Sequence, residues 1–228
     1  MVRIPGEALV ANRGVHHRSS ATDSDRPLVG VLALQGDVLE NLRMLSAAGA
    51  QAVACKRPAE LEAIDGLVIP GGESTTIGKL AVMYGLLDPL RQRMRAGMPA
   101  FGTCAGAILL ASKALHADGR PADQPLLAAM DTVVRRNAFG RQVASFEADI
   151  DVKGLPGRPL HAIFIRAPWI EEHGPAVEVL AKVGTPLGDK VVVARQGNLL
   201  ASAFHPELTD DSRLHALFVD IVREAATV

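Results

Sequence analysis

Cysteine is scarce in this chain of 228 residues: there are two, Cys55 and Cys104, far apart in sequence. That excludes a disulfide-stapled scaffold and any metal pattern built on paired thiols. Excess charge of one sign is also missing. Lys and Arg number 24 against 25 Asp and Glu, for a net charge of −1, so the chain lacks the basic surplus with which nucleic-acid binders neutralise phosphate. No window approaches the ~18 unbroken apolar residues of a membrane helix. The first 27 residues hold no apolar segment of the length a secretory signal needs. Their polar cluster from Arg18 to Pro27 reads as a disordered extension. Adjacent His16 and His17 have no further ligand candidates nearby. Without an export signal the expected compartment is the cytoplasm, where both thiols stay reduced. No metal and no cofactor is implied, and neither nucleic acid nor membrane is expected as a partner. Internal repeats, low-complexity tracts and interdomain linkers are absent too, so residues 28–228 read as one domain.

What is present is an alternation. Short apolar runs at Leu28–Ala33, Ala52–Cys55, Ile64–Ile69 and Pro99–Gly102 read as buried strands. Between and after them lie helical patterns at Val38–Ala48, Thr75–Tyr84, Leu87–Arg95 and Ala105–Ala114. Such alternation predicts an α/β fold of three layers, a mostly parallel central sheet with helices on both faces. A polar loop covers 116–125. Strand-like runs then follow at Thr132–Val134, Ala148–Val152, His161–Ile165, Val177–Val183, Val191–Ala194 and Leu199–Phe204. They predict a smaller antiparallel extension, closed by an amphipathic helix over Asp211–Ala225.

Chemistry in open parallel sheets sits at the carboxyl ends of strands, and two glycine-rich corners fall there. One is Gly102-Thr103-Cys104-Ala105-Gly106, the thiol counterpart of a nucleophile elbow, in which a strand turns sharply into a helix. The flanking glycines avoid clashes at the tight turn. Cys104 would project from the sheet edge at the first turn of a helix, whose positive end favours a thiolate. A nucleophilic thiol needs a proton shuttle. Of seven histidines, His205 differs in closing a strand and in preceding Pro206 and Glu207. Residues two apart in an extended segment face the same way, so Glu207 can orient the His205 ring towards Cys104, in the manner of a triad. His16, His17, His116 and His173 read as loop residues, His161 as the start of a strand and His215 as part of the last helix.

The second corner is Pro70-Gly71-Gly72-Glu73-Ser74. Acyl transfer through a thioester develops an oxyanion, which backbone N–H groups stabilise. Gly72 and Ala105, the residue after the nucleophile, are the candidate donors. A plain turn with Ser74 as helix cap explains the same residues, and the two roles are compatible.

The combination PGGES, GTCAG and FHPE resembles the class I, triad-type glutamine amidotransferases. The stretches LALQGDVLEN, PGGESTTI, RRNAFGRQVASFEADI, FIRAPWI and ASAFHPELTDD narrow the resemblance to the glutaminase subunits of pyridoxal 5′-phosphate synthases, over about Leu28 to Arg223. It implies a flavodoxin-like sheet and hydrolysis of L-glutamine to glutamate and ammonia. The ammonia would pass to a separate barrel-fold synthase subunit, in a large hetero-oligomer that makes pyridoxal phosphate (vitamin B6). By position the resemblance implies Cys104 as nucleophile, His205 as general base and acid, and Glu207 as orienting carboxylate. It implies Gly72, Glu73, Ser74, Arg136, Ile165 and Arg166 as substrate contacts. Charge logic agrees: glutamine carries a carboxylate and an ammonium, for which Arg136 or Arg166 and Glu73 are the matching charges. Arg135, Arg136 and Arg141 also read as a polar edge, over which the resemblance favours Arg136 and Arg166 as contacts, and Gln35, at the end of the first strand, has no assigned role.

Two other readings use the same residues. One is a different elbow-cysteine hydrolase on this sheet, acting on peptides or glycated groups; the distant His-x-Glu and the RNAFGRQ segment oppose it. The other is an idle scaffold subunit, opposed by the intact Cys104, His205 and Glu207. The glycine pair Gly71-Gly72, whose shared peptide rotates at low steric cost, leads to a further expectation: low activity alone and stimulation by the synthase subunit.

Overall fold

The computed structural model describes residues 26–139 and 145–227. The expected disordered extension lies outside the described residues apart from Arg26 and Pro27, as does Arg141. In chain order the elements are β1 (Leu28–Leu32), α1 (Val38–Ala47), β2 (Gln51–Cys55), α2 (Pro58–Leu61), β3 (Gly66–Ile69), α3 (Ser74–Met83), α4 (Leu87–Arg95), β4 (Ala100–Thr103) and α5 (Ala105–Leu110). There follow β5 (Ala111–Leu115), β6 (Met130–Arg135), β7 (Ser145–Ile150), β8 (Leu160–Ile165), β9 (Trp169–His173), β10 (Glu178–Val183), β11 (Lys190–Gln196), β12 (Leu199–Ser202) and α6 (Arg213–Ala225).

Strands β2, β1, β3, β4 and β12 lie side by side and parallel. The sheet continues through β11, β9, β6 and β5, with β10 also on β11, to ten strands. Its added pairings are antiparallel except β5 with β6. Strands β7 and β8 form a separate antiparallel pair. The predicted parallel sheet and antiparallel extension are both present.

Alternation along each strand feeds two cores. Leu67 and Ile69 of β3, Ala100 of β4, and Leu199 and Ala201 of β12 pack with Ile77, Leu90 and Ile108 of α3, α4 and α5. Val68, Phe101 and Leu200 point to the other face, against Leu45 of α1, Phe218 and Val222 of α6, and Phe164 of β8. Three layers result, with β7 and β8 sharing the α1–α6 side.

The predicted helix Ala105–Ala114 is too long. It stops at Leu110, and Ala111 turns to extended backbone (φ −61°, ψ 151°). The carbonyls of Leu109 and Leu110, which a longer helix would bond four residues on, instead accept from the N–H groups of Leu127 and Ala129, at 2.7 and 3.0 Å. Tertiary hydrogen bonds have replaced helical ones, and the chain continues as β5. His173 is likewise the last residue of β9, not part of a loop.

Between α1 and α6 the core holds a polar pair. The His215 Nε2–H donates to Asn41 Oδ1 (3.0 Å), and both residues are fully buried. Burial alone pushes the His215 imidazole down to about 3. Its folded value thus lies below its unfolded one, so protonation favours the unfolded chain. The stabilisation is complete above about pH 6.5 and falls by about 1.4 kcal/mol per pH unit below it. Urea unfolding between pH 7 and 5 is expected to show this slope in the difference between the wild type and His215→Leu.

Candidate active site

Strands β4 and β12 are parallel neighbours in register, with Thr103 opposite Ser202. Their carboxyl ends therefore deliver Cys104 and His205 to one edge of the sheet. The Cys104 N–H donates to Ser202 O (2.8 Å), which ties the elbow to β12, and the His205 N–H donates to Ile163 O of β8 (2.9 Å).

The elbow is as tight as its glycines suggested. Cys104 has φ 47° and ψ −100°, a positive φ that disfavours any residue with a Cβ. A Cβ on Gly102 would lie 2.4 Å from Gly106 C, and one on Gly106 only 2.0 Å from Ile69 O. Both glycines are thus required by backbone approach. Among the described residues four non-glycines have positive φ: Cys104, Ala128, Asn137 and Arg166. Cys104, Asn137 and Arg166 line one cleft, the pattern expected where backbone strain is held at a functional site.

That cleft has a volume of about 360 Å³, within the range that holds small ligands. Gly72, Glu73, Ser74, Cys104, Ala105, Arg136, Ile165, Arg166 and His205 all line it. Glu207 lies behind His205, its side chain sealed from solvent. The His205 Nδ1 and Glu207 Oε1 are hydrogen-bonded at 2.8 Å. The local backbone differs from the extended segment expected. Strand β12 ends at Ser202, and Pro206–Leu208 form one turn of 3₁₀ helix, which brings Glu207 back beneath the imidazole. The Thr103 hydroxyl also reaches Glu207 Oε1, at 3.5 Å. Burial opposes charge on the His205 ring, but Asp37, Cys104 and Glu207 outweigh it and raise its proton affinity. For Glu207 burial prevails over the attraction of His205, and its carboxyl is held above the usual range.

Of the two thiols, Cys55 is fully buried, and burial, with Glu60 adding to it, pushes it up to about 11. Cys104 faces the cleft and acts on the His205 ring.

The second corner carries more than a turn. Glu73, not Ser74, caps α3: its Oε2 accepts from the Thr76 N–H (2.8 Å) and hydroxyl (3.1 Å). Ser74 is buried, and its hydroxyl donates to Gln124 Oε1 (3.1 Å), so the polar 116–125 loop braces the site. The other Glu73 oxygen pairs with Arg136 Nη2 at 2.8 Å. Partial burial pushes Glu73 up, but Thr76, Thr75 and Arg136 prevail and the net direction is down. The two charges assigned to opposite ends of glutamine are therefore paired with each other. With Glu73 half in solvent, a single-bonded pair of this kind is worth about 0–1 kcal/mol, so a zwitterionic ligand can replace the contact at little cost.

Gln35, left without a role, accepts from the Glu73 N–H through Oε1 (2.8 Å), and a Cβ on Gly72 would come within 2.6 Å of the same oxygen. Asp37 was not singled out. Its Oδ2 lies 3.2 Å from His205 Nδ1. Its N–H donates to Gly71 O (3.2 Å), which fixes one orientation of the Gly71–Gly72 peptide.

Residues 31–224 match the SNO glutamine amidotransferase family. The chain belongs to that family. A pyridoxal 5′-phosphate synthase subunit PdxT from Frankia alni is 60% identical over 201 residues, covering 88% of this chain and 98% of the relative. A subunit of the same name from Nocardia farcinica is also 60% identical over 201 residues, with 88% of each chain covered. A crystal structure described as a glutamine amidotransferase superposes with a TM-score of 0.78 at 49% identity, over 86% of this chain and 98% of that one. Within this family the cleft at Cys104 is the candidate glutaminase site. Among the described residues, no helix is long and apolar enough to cross a membrane.

Proposed function

We propose that this chain is the glutaminase subunit of a pyridoxal 5′-phosphate synthase. It hydrolyses L-glutamine to glutamate and ammonia and supplies the ammonia for vitamin B6 synthesis. The observation that carries the chemistry is the convergence of Cys104, His205 and Glu207 at the joined ends of β4 and β12, on a cleft with two arginines and a glutamate.

In the first half-reaction the Cys104 thiolate attacks the side-chain amide carbon of glutamine. The carbonyl oxygen becomes an oxyanion that the N–H groups of Gly72 and Ala105 receive. The C–N bond then breaks, His205 gives its proton to the leaving nitrogen, and ammonia departs from a thioester. In the second half-reaction His205 takes a proton from water. The resulting hydroxide adds to the thioester, and glutamate leaves as the thiolate returns. Glu207 holds His205 in the tautomer that both steps need. Arg136 or Arg166 takes the glutamine carboxylate and Glu73 its ammonium, with Ser74 and Ile165 as neighbouring contacts. The synthase partner is a barrel-fold subunit in a large hetero-oligomer in the cytoplasm.

The test is capture of the acyl-enzyme. Acid quench of the protein turning over glutamine with its synthase partner, followed by peptide mass spectrometry, is expected to find a glutamyl adduct on Cys104. An adduct on Cys55, or ammonia release with no adduct, overturns the assignment.

Two further outcomes are expected. Arg136→Ala should raise KM for glutamine at least tenfold, the cost of one charge-assisted contact, with a smaller change in kcat. Ammonia release without the partner should be well below that with it, because a peptide between two glycines rotates at low steric cost. Equal turnover in both conditions would refute the stimulation.

A further inference from the structure

We propose that Asp37 is a positioning residue of this site, a second carboxylate that faces the same His205 ring nitrogen as Glu207 and helps to hold and charge the ring. This rests on the triad reading above.

The hydrogen bond at His205 Nδ1 goes to Glu207 Oε1, 2.8 Å away, and Asp37 Oδ2 stands at ion-pair distance, 3.2 Å, from the same nitrogen. One ring nitrogen thus faces two anions. The Glu207 carboxylate is poorly supported, since its Oε2 is buried without a hydrogen-bond partner. The Asp37 side chain keeps about a third of its surface in water. Asp37 thus sets a carboxylate with a solvated side beside a sealed one, where charge is costly.

Asp37 has an ordinary explanation, and the structure removes it. It occupies the N-cap position of α1, where aspartate is favoured for its side-chain hydrogen bond to the helix. Here the side chain makes no such bond; it turns to His205 instead. The main chain of Asp37 is held independently. Its carbonyl accepts from Asn41 Nδ2 (2.8 Å) and from the Asn41 N–H (3.3 Å). Asn41 in turn accepts from the buried His215 Nε2–H. A fully buried Asn–His pair costs desolvation that an apolar pair would avoid. Its visible product is a fixed start of α1, and two hydrogen bonds and one ion-pair contact link His215 to the His205 imidazole. His205 is faced by Asp37 from the β1–α1 loop, by Glu207 from the 3₁₀ turn and by Cys104 from the elbow. Glu73, Arg136 and Arg166 line the same cleft.

The consequence is electrostatic. When Cys104 gives its proton to His205, the imidazolium is stabilised by both carboxylates. Removing the charge of Asp37 makes the thiolate–imidazolium pair less favourable relative to the neutral pair. Asp37→Asn keeps the shape and deletes the charge. With the synthase partner present, it is expected to lower kcat about tenfold with KM for glutamine within about twofold. The basic limb of the pH profile of kcat/KM should move down by roughly 0.5–1 pH unit. In the free chain, alkylation of Cys104 by iodoacetamide at pH 7 should slow by a similar factor, a readout that does not depend on the partner or on the oxyanion donors. A purely structural role would lower the melting temperature and leave both pH profiles in place, which overturns the proposal. Wild-type kcat with an unmoved alkylation profile overturns it equally. Glu207→Gln and His205→Asn separate this from the triad reading. If both are severely impaired while Asp37→Asn behaves as wild type, only the role of Asp37 fails. If both retain full activity, the triad itself fails.

Discussion

Cys104→Ala is expected to abolish ammonia release from glutamine, with a loss of at least about 10⁴-fold, since nucleophile removal in triad enzymes costs up to on the order of 10⁶ in kcat. Cys55→Ala should retain turnover, because the Cys55 thiol lies in the core and is held protonated. The same position makes a prediction about stability that activity cannot. Cys104 is held at φ 47°, where every residue with a Cβ is strained by about 1–3 kcal/mol. Glycine is not. Cys104→Gly should therefore be as inactive as Cys104→Ala yet melt above it, by roughly 2–4 °C for each 1 kcal/mol relieved. Calorimetry of the two variants and an ammonia assay with the partner decide both halves. Equal melting temperatures would show that the elbow relaxes once the sulfur is gone.

The elbow was legible in sequence because its requirements are local. Glycines two residues either side of a cysteine, a preceding apolar run and a following helical pattern lie within one short window. The meeting of Cys104 with His205 is not local. It depends on β12 inserting beside β4, and the FHPE motif signalled it only through the combination with the elbow and the resemblance that combination carries. The extension was legible as strands but not as an arrangement. The sequence of β5 reads as helix because Ala111 to Ala114 continue an apolar helical pattern, while the competing hydrogen bonds come from Leu127 and Ala129 across a long loop. Asp37 and Thr103 escaped for opposite reasons. Asp37 sits before a helix, where aspartate usually needs no further explanation. Thr103 occupies the variable position of G-x-C-x-G, which the spacing rule leaves unread. The pairing of Glu73 with Arg136 could not be foreseen either. Charge matching to glutamine assigned the two residues to different ends of the ligand and said nothing of their contact with each other.

Gly71→Ala carries the second large expected effect, and it tests the site without touching any reacting group. Gly71 has no positive φ, so its backbone accommodates alanine; the obstacle is space. An added Cβ would lie 2.4 Å from His205 Cε1, 2.7 Å from His205 Nδ1 and 2.9 Å from Asp37 Oδ2. Real Cβ contacts do not approach so closely. The imidazole is the movable partner, because the added Cβ is carried on backbone while the atoms it meets belong to side chains. Displacing the ring pulls Nδ1 away from Glu207 and changes its angle to Cys104. A misplacement of about 1 Å costs on the order of 10²-fold in rate, so kcat/KM with the partner should fall by about that factor or more. Overpacking of this size destabilises by about 1–3 kcal/mol, too little to unfold an ordinary domain. Gly184→Ala is the control, since an added Cβ there comes no nearer than 3.9 Å to Asp189 Oδ1 and should leave turnover unchanged. If Gly71→Ala turned over glutamine at the wild-type rate, His205 could not occupy the position from which it serves Cys104. The acid–base role would then have to pass to another group on the cleft.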